Sequence, residues 1–407
     1  MKILTASYIV TFDENFTILK DGCIVFDEKI IEVASYDIII KKYSNIEIIN
    51  LGENSVLMPG LINSHIHLEF SANKTTLKYG SFYSWLNSVI RHREKLIEKA
   101  KTSLITQELK KLLKTGTTTI GAISSYSFDL EACLKSPINT IFFCEVIGSK
   151  ADMIDTLFTD FKARLKDAQK HNSKRFKAGI AIHSPYSVHP FLVREVLNIA
   201  KEQNLPVTSH FLESKDEKDW LNKDEGSFLD FFKNFLNQEK ATTKPLEFLN
   251  LFKGVKNLSF THCVEASNED FSKIKELKAT INHCVSSNRF LNNSRLNLES
   301  LGNIPFSIGT DGLSSNNSLS MFDELRVALY THYERNIVKF SKTLLNAATV
   351  NGAKALGVKK GSLIKDFDAD IIGFCLPDKI EEVEDIYMQI ILHTKYVDKI
   401  VIGGEFV

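Results

Sequence analysis

Eight short apolar segments, separated by stretches of helical periodicity, constrain the fold of this chain more than any other feature of its sequence. The apolar segments span residues 57–67, 117–123, 140–147, 178–183, 207–211, 258–262, 280–284 and 306–311. Helical patterns lie between them, for example over 85–114, 153–171, 190–204, 321–333 and 342–356. Strands that alternate with helices pair in parallel, and eight such units close into a barrel. The sequence therefore predicts an α/β fold, a (β/α)8 TIM barrel.

Both ends of the chain have a different pattern, with short strand-like runs separated by polar turns. Such runs are typical of small antiparallel sheets. We therefore predict a small β-sandwich domain built from both termini, 1–55 plus 361–407, and a barrel at 56–360. The alternative is that the two termini form a pair of unrelated caps. One connection of the barrel, 213–256, is oversized. Its phenylalanine cluster at 231–235 predicts a helical excursion over the barrel mouth.

Composition narrows the classes of function. Lys plus Arg and Asp plus Glu number 50 each, so charge favours neither nucleic acid nor a membrane surface as partner. No run reaches the roughly 18 apolar residues that a membrane span needs. The six cysteines are scattered without a Cys-x-x-Cys pair, as is typical of reduced thiols. We expect a cytoplasmic protein that acts on a small molecule.

Histidines stand at the ends of five of the eight predicted strands, with one carboxylate at the end of the eighth. These residues are His65, His67, His183, His210, His262, His283 and Asp311. The carboxyl ends of the strands of a parallel barrel meet at one face, which carries the active site. Three imidazoles and a carboxylate can hold a divalent cation and leave a position for water. Glu213, three residues after His210, is placed for proton transfer, with a solvated loop carboxylate as the competing interpretation.

This pattern resembles the amidohydrolase superfamily, in particular its mononuclear deaminase branch, over essentially the whole chain. The resemblance is carried by Pro59-Gly-Leu-Ile-Asn-Ser-His65-Ile-His67, His210-x-x-Glu213, His262, Thr310-Asp311, Ala347-Ala-Thr-x-Asn-Gly-Ala-x-Ala-Leu-Gly357 and Asp368-Ala-Asp-Ile. It implies that one divalent metal ion is bound by His65, His67, His210 and Asp311. It also implies that Glu213, His262 and Asp311 are catalytic, moving protons and orienting the attacking water.

The residue at the end of the fourth predicted strand bears on the number of metal ions. Binuclear members of the superfamily carry a bridging lysine there, whereas this chain has His183, so the resemblance implies a single ion. Zinc suits three histidines and an aspartate with an open position, and Fe²⁺ is the alternative.

Two further segments resemble nucleoside deaminases and imply substrate-binding residues. His183-Ser-Pro-Tyr resembles a segment whose histidine contacts the nucleoside, and Trp85-Leu with Glu94 resembles one whose glutamate binds ribose hydroxyls. By its neighbours alone, Glu94 could equally be a solvated helix residue. Within the branch, the chain is most similar to the deaminases of 6-aminodeoxyfutalosine, which act in menaquinone synthesis. The implied reaction is hydrolytic deamination at C6 by a metal-bound hydroxide, giving futalosine and ammonia.

That substrate also carries a benzoate, so a cation is expected near the mouth of the site. Arg91, Arg93 and Arg289 are the candidates. A homodimer is compatible with the resemblance, although no interface is identifiable in the sequence.

Other activities compete with this interpretation. Adenosine, methylthioadenosine or S-adenosylhomocysteine is an alternative substrate, and hydrolysis of an amide or a C–Cl bond is an alternative reaction on the same scaffold. A cytidine-type deaminase is excluded, because His67-Leu-Glu69 matches half of its motif but the Cys-x-x-Cys half is missing. A further alternative is a metal-binding protein without catalytic activity. The presence of Glu213 and His262 argues against it, because such a protein would need neither residue.

Overall fold

The computed structural model describes residues 1–72 and 75–407, whose strands form two sheets. In chain order the strands are β1 (Lys2–Val10), β2 (Ile18–Phe26), β3 (Ile30–Ser35), β4 (Ile48–Asn50), β5 (Ser55–Pro59), β6 (Leu61–Ile66), β7 (Thr117–Ser124), β8 (Asn139–Val146), β9 (Phe176–Ile182), β10 (Val207–Phe211), β11 (Leu258–His262), β12 (Thr280–His283), β13 (Phe306–Ile308), β14 (Ile371–Cys375), β15 (Lys399–Ile402) and β16 (Glu405–Phe406). The helices are α1 (Tyr36–Lys42), α2 (Phe82–Lys99), α3 (Thr102–Lys114), α4 (Leu130–Lys135), α5 (Ile154–Gln169), α6 (Pro190–Gln203), α7 (Lys215–Lys223), α8 (Ser227–Leu236), α9 (Pro245–Leu251), α10 (Asn268–Glu276), α11 (Val285–Phe290), α12 (Met321–Thr331), α13 (Ile337–Ala347), α14 (Val350–Leu356) and α15 (Ile386–His393). Among the described residues, none of the helices combines the length and the apolar character that crossing a membrane requires.

Strands β6 to β13 form a parallel sheet in which each strand pairs with the next one along the chain. Its first and last strands approach each other: Ser64 Oγ donates to Ile308 O at 2.9 Å, and Asp311 N donates to His65 O at 3.0 Å. The sheet is therefore a nearly closed barrel, and the predicted barrel is confirmed. All its carboxyl strand ends meet at one face.

The first predicted strand, residues 57–67, is two strands. β5 pairs with β1 and β14 in the terminal sheet, whereas β6 begins the barrel. The break falls at Gly60, where a Cβ atom would lie 2.1 Å from Thr118 Oγ1. Only glycine permits such a close approach. Hydrophobic periodicity does not report this kind of contact between distant segments.

The helices follow the predicted pattern with two interruptions. The stretch over 342–356 falls in α13 and α14, which are separated at Ala348 and Thr349. The stretch over 85–114 is two helices, because α2 ends and α3 begins around Ala100 and Lys101. The oversized connection over 213–256 contains α7, α8 and α9. Phe228 and Phe232 of α8 are buried in the main apolar core, which joins the predicted excursion to the barrel.

The second sheet combines both ends of the chain. Its strand order is β16-β15-β14-β5-β1-β2-β3, with β4 also paired to β1. Leu4 and Ile24 from the amino end pack in one apolar cluster with Ile371 and Val401 from the carboxyl end. The predicted small β domain from both termini is therefore confirmed, and its boundaries 1–55 and 361–407, with the barrel at 56–360, stay a prediction.

Lys360 joins the barrel to this sheet through a buried charge cluster. Its Nζ lies 2.7 Å from Asp370 Oδ2 and 2.8 Å from Asp368 Oδ2, and Asn139 Nδ2 donates to Asp370. Since Asp370 is 4% exposed, loss of the lysine would leave a buried, unpaired charge. We expect Lys360→Met to lower the free energy of unfolding in denaturant by about 3–5 kcal/mol. The exposed control Lys354→Met should change it by less than about 0.5 kcal/mol, and equal effects of the two would contradict this account.

Candidate metal centre and active site

Three histidines from two barrel strands converge on one point at the carboxyl face. His65 lies in β6, His67 directly follows it, and His210 lies in β10. Their Nε2 atoms are separated by 3.2 Å (His65 to His67), 3.3 Å (His67 to His210) and 3.2 Å (His210 to His65). Asp311, which follows β13, places Oδ1 3.5 Å from His67 Nε2 and 3.9 Å from His65 Nε2. The structure thus brings all four predicted metal ligands together.

The three imidazole nitrogens fit the surroundings of one divalent ion. Ligands about 2.0–2.1 Å from a tetrahedral centre lie about 3.3–3.4 Å from one another, close to the nitrogen spacings. His210 Nδ1 donates to His183 O at 2.8 Å, which leaves its Nε2 lone pair directed at the centre. His65 Nδ1 lies 3.1 Å from Thr261 Oγ1. Burial lowers the pKa of His67 to about 3, so its imidazole is neutral, as a metal ligand must be.

Asp311 is held by three hydrogen bonds. Ser287 Oγ and Ser315 Oγ donate to Oδ2 at 2.7 and 3.0 Å, and Gly312 N donates to Oδ1 at 2.9 Å. Asp311 and His262 have left-handed backbones, with φ of 59° and 71°. Residues other than glycine adopt this region rarely, and such strain is concentrated at functional sites.

Glu213 and His262 lie side by side next to the histidine cluster, with His262 Nε2 3.5 Å from Glu213 Oε2. His262 Nδ1 donates to Asn288 Oδ1 at 2.9 Å. In that tautomer Nε2 carries a lone pair, and it is buried without a hydrogen-bond partner among the described residues. A buried polar atom of this kind is placed to bind a water or a substrate group.

The turn that places Glu213 is fixed by a second carboxylate, Glu217. Its oxygens accept the backbone N–H groups of Leu212 at 3.1 Å and Glu213 at 2.9 Å. The chain therefore turns directly after β10, as the interpretation of Glu213 required. Burial, with the nearby charges of Asp311 and Glu217, raises the pKa of Glu213 well above its usual range. Such a shift favours the protonated form of the carboxyl, which can act as an acid.

Asn288 sets the tautomer of His262, so its removal should impair activity without removing a metal ligand. We expect Asn288→Ala to lower kcat about 10- to 100-fold, by analogy with the range found for groups that orient the histidines of metal sites. Metal content, measured on the same sample, should be unchanged. The control Asn222→Ala alters an exposed helix residue and should retain full activity. Full activity in Asn288→Ala would remove this residue from the site.

The candidate site opens into a cavity of about 500 Å³. Its polar floor contains His67, His183, His210, Glu213, His262 and Asp311. Helices α2 and α8 supply apolar walls through Trp85, Leu86, Val89, Phe231, Phe232 and Leu236. A concave apolar site with a few convergent polar groups is typical of a small-molecule site.

The two predicted substrate-binding residues lie in different surroundings. His183 lines the cavity, and its Nδ1 lies 2.6 Å from Ser187 Oγ. Glu94 is exposed and is not part of the cavity wall. At about 100° per residue, the nine residues from Trp85 turn Glu94 to the opposite side of α2. The ribose-binding role of Glu94 stays a prediction that this arrangement does not support.

The cations at the mouth also differ from the expected set. Of the three candidate arginines, Arg93 lines the cavity, whereas Arg91 and Arg289 are not among its lining residues. Lys150, which the sequence interpretation did not single out, lines it too.

Glu145 is a further polar residue of the site that the sequence interpretation missed. It lies near the end of β8, is 2% exposed and lines the cavity. One of its oxygens lies within 4.8 Å of a ring nitrogen of both His183 and His210. The sequence feature that could have identified Glu145 is its position as the single acidic residue of an otherwise apolar predicted strand.

Comparison with known proteins adds the following relatives. The sequence model of the amidohydrolase family matches residues 56–407. The chain is 46% identical over 389 residues to an aminodeoxyfutalosine deaminase of Nitratiruptor sp., covering 96% of each chain. It is 35% identical over 411 residues to an adenosine deaminase of Helicobacter pylori, covering 99% of each. A crystal structure of Helicobacter pylori aminofutalosine deaminase in complex with methylthio-coformycin matches with a TM-score of 0.95 at 34% identity, covering 100% of both chains.

Proposed function

This chain belongs to the amidohydrolase family, and from this premise we propose that it deaminates an adenine nucleoside by hydrolysis at C6. The proposed substrate is 6-aminodeoxyfutalosine, and the products are futalosine and ammonia, a step of menaquinone biosynthesis. The observation that carries the proposal is the 46% identity to the Nitratiruptor aminodeoxyfutalosine deaminase over 96% of both chains.

The metal-binding residues supply the first requirement of this reaction. His65, His67, His210 and Asp311 would hold one divalent ion, and the spacing of the three imidazole nitrogens, which is that of neighbouring ligands on one ion, supports the proposal. Four protein ligands leave a fifth position for water. When bound, such an ion would lower the pKa of water and so supply the nucleophile for C6. We propose zinc, with Fe²⁺ as the alternative, since imidazole and carboxylate suit both.

Glu213, His262 and Asp311 supply the proton transfers in this proposal. The raised pKa of Glu213 suits donation of a proton to ring nitrogen N1, which makes C6 more electrophilic. His262 presents the Nε2 lone pair left by its bond to Asn288 and orients the attacking water. Asp311, held by two serines, accepts a proton from that water. Asp311 then passes this proton to the leaving amine, which departs as ammonia, and the remaining hydroxyl proton at C6 restores Glu213.

Substrate binding divides between the polar floor and the apolar walls. We propose that His183 contacts the nucleoside, because it lines the cavity beside the metal-binding residues. The aromatic and aliphatic wall from α2 and α8 would pack against the purine. A cytoplasmic location and a homodimeric assembly remain predictions from the sequence.

A second candidate function is deamination of adenosine or methylthioadenosine. The 35% identity to the Helicobacter pylori adenosine deaminase favours adenosine. Both candidates share the chemistry at C6 and differ in what the outer part of the cavity accepts.

A panel of nucleosides tests the proposal. Metal-replete protein is assayed for ammonia release from 6-aminodeoxyfutalosine, adenosine, methylthioadenosine and S-adenosylhomocysteine. We expect the highest kcat/KM for the first. A preference for another member of the panel would keep the chemistry and overturn the menaquinone assignment. No release from any of them, with metal bound, would favour a hydrolase of amides or C–Cl bonds.

A further inference from the structure

Two cations stand on the wall of an otherwise largely apolar cavity. Arg93 and Lys150 line the cavity and are exposed. Among the described residues that line it, they are the only arginine and lysine. Neither takes part in the ion pairs of the described part of the chain. Their charges are therefore available to a ligand.

Helix α2 carries Arg93 away from the reacting end of the cavity. Trp85, Val89 and Arg93 follow at intervals of four residues and all line the cavity, as one helix face would. Trp85 is anchored near Asp311, because its Nε1 donates to Ser314 O at 2.7 Å. Eight residues at 1.5 Å each place the backbone of Arg93 about 12 Å further along the helix. The guanidinium thus belongs to the outer end of the cavity.

Tyr126 supports this guanidinium. The Cζ atom of Arg93 lies 4.8 Å from the centre of the Tyr126 ring, a cation–π contact. The loop of Tyr126 is fixed in turn by the buried carboxylate of Glu69, which accepts backbone N–H groups of Ser125 at 2.7 Å, Tyr126 at 3.1 Å and Phe128 at 2.9 Å. Arg93 therefore rests on an ordered support, which reduces the entropy lost when it binds an anion.

We propose that Arg93 and Lys150 form a subsite for a carboxylate on the part of the nucleoside remote from the adenine ring. An apolar wall that ends in unpaired cations selects a ligand whose body is apolar and whose far end is anionic. Arg93 is a specificity-determining residue in this account and has no part in the chemistry at C6. The inference rests on the proposed function, since it requires a nucleoside bound with its purine at the polar floor.

The test compares an acidic with a neutral substrate. For Arg93→Ala we expect kcat/KM on 6-aminodeoxyfutalosine to fall about 10- to 100-fold, mainly through KM, as for loss of a charge-assisted hydrogen bond. On methylthioadenosine, which has no carboxylate, it should stay within about twofold. Arg93→Lys should recover part of the loss, and added Lys150→Ala should deepen it. High salt should weaken the preference of the unaltered protein for the acidic substrate.

Arg91→Ala is the matched control, because it removes the same charge two residues earlier on the same helix, outside the cavity wall. It should leave both substrates unaffected. Equal losses on the two substrates, or an unchanged preference in Arg93→Ala, would overturn the subsite. Absence of deamination of either substrate by the unaltered protein would instead overturn the proposed function.

Discussion

Glu213→Gln is expected to lower kcat at least about a hundredfold, because general acid–base groups contribute roughly 10²- to 10⁴-fold. The amide cannot donate a carboxyl proton to the ring, although it has nearly the same shape. Metal content should be unchanged, since Glu213 is not one of the four predicted ligands. The measurement is single-turnover ammonia release at saturating nucleoside, with metal determined on the same sample.

Glu225→Gln is the control for this variant, because it makes the same chemical change at an exposed position of the same connection. It should retain the activity of the unaltered protein. Full activity in Glu213→Gln would show that this carboxyl takes no part in the reaction. Loss of metal together with activity would show that it acts through the metal site instead.

Removal of one cluster histidine has the other large expected effect. In His67→Ala we expect loss of both bound metal and deaminase activity, because His67 Nε2 lies within 3.5 Å of the ligand atoms of His65, His210 and Asp311. The measurements are metal content after dialysis and the rise in Tm when zinc is added to metal-free protein. A ligand that binds only the folded state raises Tm by mass action, so the rise should be much smaller in the variant.

His171→Ala is the matched control, since this exposed histidine follows α5 and lies outside the cluster. It should bind metal and turn over substrate as the unaltered protein does. One tightly bound ion per chain in His67→Ala would contradict the predicted set of ligands.

The residues at strand ends were predictable from the sequence because a parallel barrel gathers them at one face. Strand identity and chain order are enough to bring His65, His210 and Asp311 together. Two strands, β10 and β11, have the predicted bounds, since both are short apolar runs flanked by polar residues. The predicted position of Glu213 depended on a turn of the chain directly after β10. The carboxylate of Glu217 fixes this turn, and no sequence motif marks Glu217.

Features that depend on contacts between distant segments were not predictable in this way. The split at Gly60 reflects its approach to Thr118, which no local pattern reports. Asn288 orients His262 from the next barrel unit, so its role appears only when β11 and α11 are adjacent. On α2, Arg93 lines the cavity, whereas Glu94, about 100° further around the helix, does not. Sequence spacing alone did not distinguish the two positions.

The central claim is that water replaces the amino group at C6 of an adenine nucleoside, and product analysis in water labelled with oxygen-18 tests it most directly. Metal-replete protein is incubated with 6-aminodeoxyfutalosine, and the nucleoside product and ammonia are quantified together. The account predicts futalosine with one labelled oxygen at C6 and one ammonia per product. A product that keeps its amino group, or one whose new oxygen lies elsewhere, would contradict it.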